Sequence, residues 1–482
     1  MLLFILGSTL LLALLFTYFF LRRHYGQVEK LLLPHVKPFL CFGSPPYNWH
    51  DRVHHEYFNE AFKRFKSKTF TRYAGSTPTI VTIDPEIVKQ VTIKQFQNFP
   101  MVLNAEAKDK HLSLDISHGV LWKTLRKELS PVFTSGKLKG MMEPVTEIGD
   151  QFVAHIHKNQ SPGKSLFIKD MFQGLTLDVI NACAFGIKTN SREDPDHHLL
   201  QISKKMMESA IISTNWGTSI FFLLFGLFPE LITVFNFFGS GYDKMIDVAN
   251  SIIHQREKDD IQKKDFINVL VEMRKKSRED SNSLLNDDII TAQAVIFFLA
   301  GYVTTSLSFC SIVYVLATNP ELQEKLHGEI LLSEEEEYQE THYITAFIKE
   351  TLRMYPPATL HTRVCTNDTE VEGIPVKKGT QIEMPIYASH YNPEFFPSPH
   401  EFKPERFLGN VEIIPNTYRP FGDGNRICIA YRFAMMELKV LTEKIVKNFK
   451  ILPTSDTKLS PKKGALFLLE INDMGVEFES RV

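Results

Sequence analysis

Cys428 stands in the stretch RPFGDGNRICIAYRFA (419–434), two residues after Arg426 and just beyond Gly422 and Gly424. A free cysteine is most often a small buried hydrophobe; these neighbours argue for chemistry. Glycines allow backbone conformations that leave main-chain N–H groups free. Such groups, a following helix N-terminus and a nearby cation all stabilise a thiolate. A thiolate in that setting is a nucleophile or a metal ligand. No His/Asp arrangement of recognised spacing lies nearby to support a nucleophile. The remaining cysteines, Cys41, Cys183, Cys310 and Cys365, are widely spaced and form no C-x-x-C pair. That argues for a reduced compartment, and against a disulfide framework or a cysteine zinc site. A single thiolate outside any metal-binding set suggests the axial ligand of a haem iron.

Other constellations have plain readings when taken alone. Glu350 and Arg353 share one helical face that Pro356-Pro357 ends; on a surface such a pair contributes only about 0.2–0.5 kcal/mol. Gly301, inside the apolar run Ala300-Gly301-Tyr302-Val303-Thr304-Thr305, costs a helix roughly 1 kcal/mol relative to alanine, and a helix-packing contact would explain it. Thr304 in mid-helix would ordinarily bond the carbonyl four residues back. Trp122 and Arg126, four apart, could stack on a helix surface. Several signatures fail outright. Gly422-x-Gly424 has Ile427 where a dinucleotide fingerprint needs its third glycine. TSGKL (134–138) lacks the upstream glycine and the hydroxyl of a P-loop. Neither H-E-x-x-H nor G-x-S-x-G occurs. Hydride transfer within this chain, NTP hydrolysis, zinc peptidase and serine hydrolase chemistry all lose support.

These residues need a large scaffold. The chain has 482 residues, 44% hydrophobic and 23% charged, enough for a sizeable core. A net charge of −2 gives no reason to expect a nucleic-acid partner. The 38 phenylalanines suggest bulky apolar interiors or membrane contact. Asp287-Asp288 can cap a helix running to Asn319-Pro320, about 48 Å long. Strand-like pieces sit at 77–83, 380–386 and 466–471, and helical patterns fill the middle, so the fold class is mainly α, an α+β domain. Residues 1–21 are apolar and uncharged, about 32 Å as a helix, and Arg22-Arg23 follow at once. They read as a single-pass transmembrane signal-anchor that leaves the rest on the cytosolic side. Pro34, Pro38 and Gly43 favour an extended hinge over 22–45, with the remaining domain at 46–482. The Phe-rich stretch 219–241, broken by Gly226, Pro229 and Glu230, reads equally as a buried helix pair or as a segment dipping into a membrane. The charged stretch 254–288 and Glu334–Glu337 read as solvated helix faces or loops.

Phe421-x-x-Gly424-x-Arg426-x-Cys428 resembles the haem-binding signature of the cytochrome P-450 monooxygenases. Further motifs occur in that family's order: Ala300 to Thr305 resembles its oxygen-activation helix, Glu350-Thr-Leu-Arg353 its E-x-x-R element, and Pro404-Glu-Arg406-Phe407 its P-x-R-F element. Trp122-x-x-x-Arg126 matches its helix C element. The likeness covers nearly the whole chain, and the set is specific where each piece alone is weak. FTSGKLKGM (133–141) and AGYVTT most resemble the microsomal 3A-like branch and its arthropod relatives.

The resemblance implies a P-450 fold with a long central helix over a haem b, and Cys428 as the axial iron ligand. It implies that Trp122, Arg126, Arg363 and Arg426 reach the haem propionates, with Phe421 also at the cofactor. Glu350, Arg353 and Arg406 would hold the fold. Ala300 and Gly301 would mark a local widening where dioxygen fits, and Thr304 would help protonate it. The implied reaction inserts one oxygen atom from O2 into a lipophilic substrate: a steroid, fatty acid, terpenoid or xenobiotic. Electrons would come from NADPH through a flavoprotein reductase, with cytochrome b5 as a further donor, at the endoplasmic reticulum membrane and its lipid. Lys123, Lys127, Lys137, Lys139 and Arg432 lie near the elements expected to face the reductase. Candidate pocket walls are Phe297, Phe298, Ala300, Leu360 and Phe467, with the loop 101–120 and the stretch 219–238. Two departures stand out. Val303 replaces the usual acid before the threonine, so that reinstating an acid is expected to improve coupling, and Ala430 replaces the common glycine after the cysteine. The alternatives are an electron-independent isomerase or dehydratase of the same fold, and a non-catalytic haem- or lipid-binding membrane protein.

Overall fold

The computed structural model describes residues 2–39, 43–44, 53–102, 109–194, 196–209, 239–259, 263, 265–335, 342–409, 411–463, 465 and 467–481. The Phe-rich stretch 219–238, Cys41 and the loop 103–108 lie outside the described residues.

A 32-residue helix, Asp287–Thr318, is the axis of the domain. Its cap is Asn286, not the aspartates that follow, because the Asn286 carboxamide oxygen accepts from the Ile289 amide at 2.9 Å. Asp287 is instead drawn to arginine, with Arg274 Nε at 3.3 Å and Arg278 Nη2 at 2.9 Å. The helix is apolar on all sides and mostly buried from Ile289 to Ala317, the exceptions being Leu299, Tyr314 and the residues that meet a chamber described below, as expected of a helix enclosed by other elements. Helix Ile168–Ile180 crosses it closely. A Cβ on Gly301 would come within 2.8 Å of Ile180 Cδ1, and Thr176 Oγ1 donates to the Tyr302 carbonyl at 3.0 Å. The packing explanation for Gly301 therefore holds, and the helix runs through Gly301 without widening.

The strands are β1 (Thr69–Ala74), β2 (Thr77–Thr82), β3 (Leu166–Phe167), β4 (Leu360–Val364), β5 (Thr369–Val371), β6 (Ile374–Val376), β7 (Gln381–Pro385), β8 (Phe449–Pro453) and β9 (Gly475–Ser480). They form a four-stranded sheet β1-β2-β7-β4, a three-stranded sheet β3-β9-β8 and the hairpin β5-β6. The first sheet is pinned by a buried pair invisible in the sequence, in which Arg72 Nε and Nη2 donate to Glu383 Oε2 and Oε1 at 2.9 and 2.6 Å. The expected strand at 466–471 is not an element. Its described residues make isolated bridges instead, Ala358 with Leu468 and Pro461 with Ile471.

Helix Leu2–Leu21 presents Leu12, Phe16 and Phe19 outward, all exposed. The proline-bearing segment after it is laid along β1, with Val36 N donating to Thr71 O at 2.9 Å and Thr71 N to Pro34 O at 2.8 Å. In the charged stretch 254–288 two arginines turn inward, correcting the solvated reading: Arg256 pairs with Asp265 at 2.9 Å, and Arg274 is buried against Asn250 and Thr291. Charge on a helix is solvated only where no neighbouring element packs on that face.

Candidate active site

The Cys428 turn is built by its glycines. Gly422 and Gly424 have φ of +83° and +61°, a region that L side chains avoid. A Cβ on Gly424 would strike the Thr92 carbonyl. Four of the turn's amides are used within it: Gly422 N donates to Arg419 O at 3.1 Å, Gly424 N to Asp423 Oδ1 at 2.7 Å, Ile427 N to Gly424 O at 3.1 Å, and Cys428 N to Phe421 O at 2.8 Å. The sulfur instead receives the Ala430 amide, just ahead of helix Tyr431–Asn448. Arg426 does not face the sulfur. Its guanidinium bonds the carbonyls of Pro100 (2.7 Å) and Ser117 and lies over the Trp122 ring at 4.9 Å. The cation acting on Cys428 is Arg126. Burial outweighs both the amide and the cation, so the thiol pKa is raised; the turn alone does not make a thiolate. A bound metal deprotonates a coordinating thiol outright.

The turn faces the central helix across a chamber of about 410 Å³. Cys428, Phe421, Ala430 and Leu438 form one wall, and Phe297, Ala300, Gly301, Thr304, Thr305 and Ser308 form the other. Trp122, Arg126, His361, Arg363 and Arg426 edge it. Thr304 Oγ1 donates to Ala300 O at 2.6 Å, which leaves its lone pairs to the chamber. Of the expected walls, Phe297 and Ala300 are present. Phe298 is buried against Phe185 and Tyr302, since neighbours on a helix lie about 100° apart. Leu360 points into a separate cluster with Phe70 and Val81, because strand neighbours alternate and β4 turns His361 and Arg363 to the chamber. Phe467 is 38% exposed and lies outside the chamber lining. Val303 is buried in the main apolar cluster and is not on the chamber wall. Val303→Glu is therefore expected to place a carboxylate in the core and to lower Tm by about 5 °C or more, rather than improve coupling. A thermal scan decides; an unchanged Tm with better coupling would place residue 303 on the chamber.

The site fits a haem. Arg363 Nε and Arg426 Nε are buried without hydrogen-bond partners, cations at the chamber edge that two propionate carboxylates would satisfy. No group of three His, Cys, Asp or Glu among the described residues could hold a metal, so a lone thiolate suits an iron whose other donors come with a macrocycle.

Away from the chamber, Glu350 is buried and accepts from Arg353 Nε (2.7 Å), Arg353 Nη2 (2.9 Å), Lys403 N (2.9 Å) and Arg406 Nε (3.3 Å). Three imidazoles, the buried His55 and His390 and the half-buried His361 at the chamber edge, are held neutral by desolvation; His55 is lowered to about 4 and the other two well below the usual value. The unfolded chain takes up these protons below pH about 6.5 and the folded chain does not. Stability should thus fall as pH drops from 7 toward 5, by up to about 1.4 kcal/mol per pH unit for each imidazole. Urea midpoints at pH 7.5 and 5.5 measure it, and equal midpoints would contradict it.

A family model described as Cytochrome P450 matches residues 34–478. Cytochrome P450 3A9 of Rattus norvegicus is 31% identical over 479 residues, covering 96% of this chain and 93% of its own length. Cytochrome P450 3A28 of Bos taurus is 32% identical over 456 residues (91% and 88%), and lithocholate 6-beta-hydroxylase of Mesocricetus auratus is 32% identical over 469 residues (93% and 91%). Similarity of that extent makes the chain a member of the cytochrome P450 family, a haem- and dioxygen-using monooxygenase among the oxidoreductases.

Proposed function

We propose that this chain hydroxylates or otherwise oxygenates steroid-sized lipophilic molecules, with Cys428 as the residue that would hold the haem iron and Thr304 as the proton-handling group. The observation that carries the reading is the chamber itself, which gathers Cys428, Thr304 and three guanidinium groups around one apolar space. When bound there, the haem supplies the activation of dioxygen for insertion into a C–H bond, helped by electron donation from a cysteine thiolate. The residues do the rest. Arg126, Arg363 and Arg426, with Trp122, would hold the propionates, and Phe421 would pack at the thiol side. Ile296, Phe297 and Ile180 exclude water and seat an apolar substrate. Thr304, freed from the Ala300 carbonyl by rotation, donates a proton at Oγ1 and recovers it from water. Glu350, Arg353 and Arg406 keep the cysteine-bearing segment in register. One relative's name, lithocholate 6-beta-hydroxylase, favours steroids within the range that also includes fatty acids, terpenoids and xenobiotics.

The electrons come from NADPH through a flavoprotein reductase, with cytochrome b5 as a second donor. Residues 1–21 anchor the chain in the endoplasmic reticulum membrane, residues 22–45 connect, and 46–482 form the cytosolic catalytic domain. The exposed apolar side chains of helix Leu2–Leu21 support that arrangement, being a surface that water does not favour. The test is product formation from a steroid panel by purified protein, reductase, NADPH and O2. Product that needs neither NADPH nor O2 would mark the rearrangement enzyme instead, and spectral binding with no product would mark a non-catalytic binder.

A further inference from the structure

Arg419 opens the cysteine-bearing stretch, one residue before chamber-lining Pro420, and no motif gives it a role. It is 1% exposed, and Nε, Nη1 and Nη2 all lack a hydrogen-bond partner. Other deeply buried arginines are served by the protein. Arg353 is held by Glu350 and the His390 carbonyl, Arg72 by Glu383, and Arg274 by Asn250 and Thr291. A buried guanidinium with no anion is costly enough that folds rarely keep one.

Drift of the chain cannot relieve it. The Arg419 amide donates to His390 Nε2 at 2.9 Å, while His390 Nδ1 bonds the Arg353 carbonyl at 2.9 Å. Accepting at Nε2 fixes the neutral Nδ1–H form of the ring, and the backbone at 419 is tied to the Glu350 network. The surroundings are positive: Arg419 acts on Arg363 and His361, and both line the chamber edge. The acid acting on it, Asp423, has its oxygens engaged by Asn416 Nδ2 and Gly424 N and forms no ion pair with Arg419. Burial lowers the Arg419 pKa to about 10, so it is still charged at neutral pH.

We propose that Arg419 is a further haem-binding cation, completing with Arg363 a two-arginine seat for one propionate carboxylate. The proposal rests on the haem reading of the chamber. It explains in one step why two adjacent buried arginines, Arg363 and Arg419, both carry unpartnered nitrogens: the missing anion belongs to the cofactor. Its place is at the carboxylate and not at the iron.

The test compares haem loss to an excess of apomyoglobin from the full-length wild-type protein and from Arg419→Met, which keeps an apolar stem of similar length without the charge. Arg419→Met should lose haem about 10- to 100-fold faster, the scale of one or two charge-assisted hydrogen bonds, with Arg419→Lys in between. The same proteins are then loaded with haem dimethyl ester, whose propionates carry no charge. There the variants and wild type should differ by less than about twofold. A difference that persists with the diester, or no acceleration with natural haem, overturns the proposal. So does equal acceleration by Asp423→Asn, which would make Asp423 the partner. If Arg419→Met does not fold, comparing Arg419→Lys with wild type on the two haems decides the matter in the same way. A wild-type protein that takes up neither haem would overturn the chamber reading itself, and the role of Arg419 with it.

Discussion

Cys428→Ala is expected to abolish the thiolate-type absorption of the ferrous carbonyl complex and to cut monooxygenase turnover by roughly a thousandfold or more. The fold should barely notice. The sulfur's hydrogen bond is to the Ala430 amide, and losing one such bond costs about 1 kcal/mol. The turn is shaped by Gly422, Gly424 and the Asp423 cap, none of which is touched. Because burial raises the thiol pKa in the polypeptide alone, Cys428 in the free protein should show little reactivity toward thiol reagents near neutral pH, and metal binding should suppress what remains. Carbonyl difference spectra and circular dichroism of the variant, measured side by side, separate ligand loss from misfolding. An unchanged thiolate-type band would remove Cys428 from the iron.

Glu350→Ala is expected to have the largest effect on stability. Glu350 accepts four hydrogen bonds from three residues, Arg353 on its own helix and Lys403 and Arg406 on the segment packed against it, and both it and Arg353 are fully buried. Removing the carboxylate leaves the Arg353 guanidinium buried with the carbonyls of His390 and Glu401 and without its countercharge. Breaking a buried pair in this way costs about 3–5 kcal/mol, a large part of the roughly 5–15 kcal/mol that holds a typical domain together. The yield of haem-loaded protein should collapse, and any folded fraction should melt well below wild type. Arg406→Ala should be milder, about 1 kcal/mol, since Arg406 Nε approaches Glu350 Oε1 at only 3.3 Å and its side chain reaches the surface. If Glu350→Ala melted within a degree of wild type, the pair would be worth no more than the exposed i,i+3 contact that spacing alone suggests.

Much of this was legible in the residues because it depends on short spacings. Two glycines, an arginine and a cysteine within seven positions mark a constrained turn, and Glu350 and Arg353 meet because the helical repeat puts them on one face. The mainly α fold with small sheets followed from periodicity. Boundaries were less secure. Asn286 took the cap from Asp287 because arginines drew the aspartate aside, and 467–471 kept only isolated bridges.

By itself the sequence determined which side chains could do chemistry and which neighbours in the chain constrain them. Only tertiary structure decided where those side chains look. The central helix is apolar on every face, so its pattern could not tell Phe297, on the chamber, from Phe298, in the core. Nor could it reveal that Thr305 and Ser308 line the chamber beside Thr304. Arg126 serves the sulfur while Arg426, nearer in sequence, turns to distant carbonyls, and Arg419 is sealed from water with all three nitrogens unpartnered. The reason is physical: a periodicity specifies one face relative to the next along the same element, whereas burial and charge pairing are set by whichever other elements pack against that face.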